Sequence, residues 1–69
     1  MTRQKRLVQA LHRRRLRLGV ELRRIEMSRS AYYRQLHSRG HPSLDTAAQI
    51  AEGAGIDRRQ FLEECGLLD

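Results

Sequence analysis

The chain has 69 residues, with 14 Lys+Arg against 8 Asp+Glu and a formal net charge of +6. That length holds one domain, 1–69, which excludes a two-domain enzyme or a doubly wound sheet, and the lone Cys65 excludes an internal disulfide framework. No apolar run approaches the roughly 20 residues of a membrane span, and no apolar stretch follows the basic N-terminus, so neither a span nor a secretory signal is expected.

Residues 1–6 read as a basic arm. Beyond it, Leu7, Leu11, Leu18, Leu22 and Ile25 follow helical spacing. Gly19 interrupts, and the break between a first and a second helix falls near Arg14–Arg17 or near Gly19; the favoured reading is two helices, about 3–14 and 17–25, with one long helix as the alternative. Ser28 offers an N-cap oxygen to a helix over 28–38. Ala31, Tyr32 and Leu36 fall on one side of it; Arg29, Ser30, Tyr33, Arg34 and His37 fall on the other. Gly40 suits a left-handed helix end, Pro42 stops continuation, and Ser43 caps the next helix. Leu44, Ala47, Ala48, Ala51 and Ala54 make one face of that helix, with Ile50 beside it and Gly55 as its stop. Asp57 followed by Gln60 resembles a capping box and opens a last helix with Phe61 and Leu62 inward. Gly66 ends it, leaving 66–69 as an apolar tail. No segment alternates apolar and polar β-formers, so the class is all-α.

Charge is distributed unevenly along these elements. Residues 1–39 carry twelve basic side chains against Glu21 and Glu26, a net +10; residues 40–69 carry Arg58 and Arg59 against six acids, a net −4. All the basic residues but Lys5 are arginines, which grip phosphate bidentately and read guanine edges. The first half is built to meet a polyanion, double-stranded DNA foremost.

Catalysis has little to work with. His12, His37, His41 and Cys65 are the only nucleophile or metal candidates of note, and none stands at metal-ligand spacing. Cys65 sits beside Glu63, Glu64 and Leu67, a setting that raises a thiol pKa and points to a structural role. Neither enzymatic activity nor a metal or cofactor is expected.

DNA reading uses what is present. A short helix enters the major groove when a second helix braces it across the backbone. The segment 26–31 supplies the turn, with Met27 plugging the core. Arg29, Ser30, Tyr33, Arg34 and His37 are then the base-reading candidates, while Tyr32 goes to the core. Ser28, Arg17, Arg23, Arg24, Arg39 and the N-terminal Arg3, Lys5 and Arg6 are the phosphate-binding candidates.

Two stretches carry a family resemblance. Residues 40–57 (Gly40-His41-Pro42-Ser43-Leu44-Asp45-Thr46-Ala47-Ala48-Gln49-Ile50-Ala51-Glu52-Gly53-Ala54-Gly55-Ile56-Asp57) resemble the fourth helix and flanks of the lambda-repressor-like, or XRE/Cro-type, helix-turn-helix family. Met27-Ser28-Arg29-Ser30-Ala31-Tyr32-Tyr33-Arg34 is similar to that family's turn and recognition helix. With Phe61, the resemblance covers about residues 20–62. The family commonly has Ala in the middle of the second helix and Gly at the turn, where this chain has Leu22 and Glu26. The resemblance implies a compact five-helix domain that binds DNA as a homodimer on a palindromic operator and regulates transcription in the cytoplasm, in the manner of a small phage-type or autoregulatory repressor. Phe61, Leu62, Leu67 and Leu68 are the expected dimer face, which would also relieve the small core of so short a chain. No small-molecule ligand is expected, since the chain has no room for a sensor domain. The alternative is an interaction module whose Arg-rich helix over 3–17 binds RNA or an acidic protein. Membrane-surface binding by 3–18 is weaker, because that face lacks Trp and Phe and is broken by Arg14 and Arg15.

Overall fold

The computed structural model describes residues 3–68; Met1, Thr2 and Asp69 lie outside the described residues, as do the side chains of Arg3 and Gln4. Five helices follow in order: α1 (Arg3–Arg13), α2 (Leu18–Arg24), α3 (Arg29–Arg39), α4 (Leu44–Ala54) and α5 (Arg58–Glu64). No strand occurs among the described residues. The fold is all-α, with α2 and α3 forming a helix-turn-helix across residues 25–28. From Arg3 onward the expected arm is the first turn of α1 instead. No helix among the described residues is long and apolar enough to cross a membrane.

Three helices begin as their sequence dictates. The Ser28 hydroxyl accepts from Ala31 N at 3.0 Å, Ser43 from Thr46 N at 3.1 Å, and the Asp57 carboxylate from Gln60 N at 2.8 Å. Each side-chain oxygen satisfies an amide that the first helical turn leaves without a partner. Ser43 also donates to Thr46 Oγ1, and its own amide donates to Gln35 Oε1 at 2.9 Å. That last bond ties α3 to the start of α4.

Four helices end with one shared device. The amides of Leu16, Met27, Ile56 and Leu67 donate back to the carbonyls of Leu11, Leu22, Ala51 and Leu62. Each bond spans five residues and closes over a residue in the left-handed region: Arg15 (φ 60°), Glu26 (φ 57°), Gly55 (φ 72°) and Gly66 (φ 75°). This is the Schellman arrangement, in which the residue after the left-handed one folds back apolar onto the helix. All four followers pack against the core. Leu16 and the turn at Arg15 therefore divide the two N-terminal helices, and Gly19 sits inside α2.

The core gathers Leu7, Ala10 and Leu11 of α1, Leu22 of α2, Tyr32 of α3, Ala47, Ile50 and Ala51 of α4, and Phe61, Leu62 and Cys65 at α5. Small side chains on α4 let its neighbours approach; Ile25 of the turn packs over Gly53. Phe61 and Leu62 belong to this core, at 0% and 5% exposure. They are therefore not available as a dimer face, because α5 spends its apolar stripe on closing its own domain. Leu67 is likewise packed on the core, and of the four expected residues only Leu68 is exposed.

The two turns that lack glycine yield a prediction. A non-glycine residue in the left-handed region costs about 1–2 kcal/mol, and both side chains there are exposed. Glu26→Gly and Arg15→Gly are each expected to raise stability by about 0.5–1 kcal/mol after the added entropy of the unfolded chain. Urea midpoints at unchanged slope check this; a lower midpoint for both variants contradicts the turn assignment.

Candidate functional site

The candidate site is the outer face of α3. Ser30, Tyr33, Arg34 and His37 are exposed along it, with Tyr33 51% exposed and Tyr32, its neighbour, fully buried. The two rings meet edge to face, 5.5 Å between centroids and 83° between planes. Burying Tyr32 thus helps to set the direction of Tyr33. α3 buries no other side chain fully, so the rest of its surface is free to act outward.

Local chemistry on α3 runs against helix stability. Its first turn holds Arg29 and no acid, although a cation at a helix N-terminus opposes the helix dipole. The Arg29 guanidinium lies against Gly19 of α2. Arg29 thus reaches back to the junction of α2 and α3 while staying exposed.

The phosphate-binding candidates divide into two groups. Lys5, Arg17, Arg23 and Arg39 are exposed and make no ion pair among the described residues, and Ser28 is exposed at the helix start that it caps. Arg15, at the end of α1, is likewise exposed and unpaired among the described residues. Arg6 is engaged internally: its Nε donates to the Glu64 carbonyl at 3.1 Å and its guanidinium packs on Gly66. Its assignment to phosphate is corrected on that ground. Arg24 lies 3.2 Å from Glu21 Oε1, an ion pair without a hydrogen bond. Glu21 is 1% exposed, a buried carboxylate that the sequence pattern does not reveal. The Arg3 side chain lies outside the described residues.

The Arg13-Arg14-Arg15 run is also divided. Arg14 holds both oxygens of Glu64, with Nη1–Oε1 at 2.8 Å and Nη2–Oε2 at 2.6 Å, and Arg13 adds a bond of 3.0 Å. Arg14 Nη1 also donates to the Ala10 carbonyl, and its guanidinium stands 5.7 Å from the centre of the Phe61 ring. These bonds hold the Glu64 carboxyl down at about 2, the Arg14 hydrogen bond being the largest cause, and they raise the Arg14 pKa in return. Burial, with the nearby Glu64 charge, pushes the Cys65 thiol up to about 12, so it stays protonated at neutral pH and packs as an apolar group.

Comparison with protein-family models, curated proteins and solved structures found no match.

The Glu64 clamp makes stability depend on pH. Its folded pKa lies below the ordinary value of 4.5, so the clamp is fully present above pH 4.5 and is lost as pH falls toward about 2. Glu64→Gln is expected to cost about 1–2 kcal/mol at pH 7, the side chain being 23% exposed, and to shrink the loss of stability on the acid side. Thermal melts between pH 7 and pH 2.5 check this; a variant with parental stability and an unchanged acid limb contradicts it.

Proposed function

We propose that this chain is a sequence-specific double-stranded DNA-binding regulator that reads bases with the outer face of α3. The observation that carries the reading is the composition of that face. Ser30, Tyr33, Arg34 and His37 stand exposed at helical spacing, directly after a turn braced by α2. Arg34 is the bidentate reader of a guanine edge, and Tyr33 meets a thymine methyl or a sugar. Arg29 at the junction, with Arg17, Arg23, Ser28 and Arg39, holds phosphates and fixes the register of α3 in the groove.

A five-helix domain with a helix-turn-helix at its second and third helices supports this reading, and so does the net +10 of residues 1–39. The rival reading, an Arg-rich N-terminal helix that docks on RNA or an acidic protein, loses much of its basis. Arg14 is held bidentately by Glu64, and Arg6 and Arg13 each give one bond to the same residue.

Dimerisation on a palindromic operator belongs to the same proposal, through a different face from Phe61 and Leu62. Leu44 and Leu68 are exposed on either side of a shallow groove between α4 and α5, flanked by Asp45 and by Arg58 and Arg59. An apolar patch with both signs of charge beside it is self-complementary under a twofold axis.

Two substitutions separate reading from positioning. Arg34→Ala should lower the preference for a favoured duplex over random DNA by about 1–3 kcal/mol. Arg29→Ala should weaken both duplexes alike. Fluorescence anisotropy across a salt series should also give a steep log–log slope, about −0.9 for each phosphate engaged. Equal losses on both duplexes for Arg34→Ala, or a flat salt response, overturns the proposal.

A further inference from the structure

A second site lies beside the reading face. Between α1 and α3 runs an open groove of about 640 Å³, within the span of about 300–1,000 Å³ typical of small-molecule sites. Its walls are Val8, Leu36 and the two tyrosine rings, of which Tyr33 is half exposed. α3 fully buries only Tyr32, so packing leaves α1 and α3 unclosed along this line.

The polar groups around the groove have one character. Lys5, His12 and His37 line it together with Gln9, and no acidic side chain does. Lys5 makes no ion pair among the described residues. From Lys5 to His12 the groove follows two turns of α1, about 10 Å at 1.5 Å per residue. That length suits one flat ring with a short acid chain and is too short for a partner helix anchored over several turns.

We infer that the α1–α3 groove binds a small aromatic carboxylate, its ring between Tyr33 and the aliphatic wall of Val8 and Leu36, and its carboxylate against Lys5 and the ring N–H groups of His12 and His37. Charge complementarity selects the anion, and the half-exposed tyrosine selects the flat apolar body. Because Tyr33 and His37 belong to both surfaces, an occupied groove covers part of the reading face. That regulatory consequence rests on the DNA-binding proposal; the binding itself does not. By linkage, bound DNA weakens the acid as much as the acid weakens DNA.

The test titrates the ¹⁵N-labelled full chain, free of DNA, with 4-phenylbutyrate and in parallel with the neutral 4-phenylbutanamide. Saturable amide shifts are expected at Val8, Gln9, Tyr33 and Leu36, with the acid binding at least threefold more tightly than the amide. Lys5→Met, at an exposed position, should reduce the affinity of the acid about three- to fivefold and spare the amide. Absence of saturable shifts, equal affinity of acid and amide, or an advantage of the acid that survives Lys5→Met overturns the inference. A parallel titration of a preferred duplex separates the two proposals. Acid binding that leaves duplex affinity untouched sets aside the regulatory link and the α3 reading face while the groove site stands. Sequence-selective duplex binding with no acid site sets aside the groove alone.

Discussion

The first and last helices are closed on each other by a single carboxylate. Glu64 takes both terminal nitrogens of Arg14, one bond from Arg13, and through its backbone carbonyl one from Arg6. The pairing spans about fifty residues of chain, so it is formed only when α1 and α5 have come together. Its physical effect is twofold. It lays α1 over Phe61, Leu62 and Cys65, completing a core that a chain this short can barely fill. It also gives Arg13 and Arg14 a shared acidic partner on α5. Arg23 of α2 and Arg34 and Arg39 of α3 stay exposed and make no ion pair among the described residues.

α3 is held by Tyr32 in the core, by the turn through Met27, and by the Gln35 bond to the Ser43 amide. Few contacts fix it, and its outer side is therefore polar, basic and aromatic without cost to the core. A face of this kind is hard to explain as folding chemistry. Arg29 at the helix start opposes the dipole, and Tyr33 is left half in water.

Much of this was legible in the chain itself, because its signals are local. Ser28, Ser43 and Asp57 announce helix starts by their side-chain oxygens, and Gly40, Gly55 and Gly66 announce ends by their freedom at positive φ. The choice of Tyr32 for the core over Tyr33 followed from helical spacing alone. The two N-terminal helices, expected over about 3–14 and 17–25, run Arg3–Arg13 and Leu18–Arg24, although the left-handed residue between them, Arg15, is one that composition does not mark. Gly19 lies inside α2, within the helix expected over 17–25, and the Arg29 guanidinium rests against it. Charge partners were illegible for another reason. Nothing near Arg6 or Arg14 in sequence foretells Glu64, and an apolar stripe such as Phe61-Leu62 reads the same whether it faces a core or a partner subunit.

What remains is whether the outer face of α3 reads sequence as this account holds. Selection of preferred duplexes from a random DNA pool by the full chain addresses it most directly. A palindrome whose half-site centres lie one helical turn apart, about 10–10.5 base pairs, or a multiple of it, is expected to be enriched. Recovery of an unenriched pool, with every duplex bound alike, would contradict it.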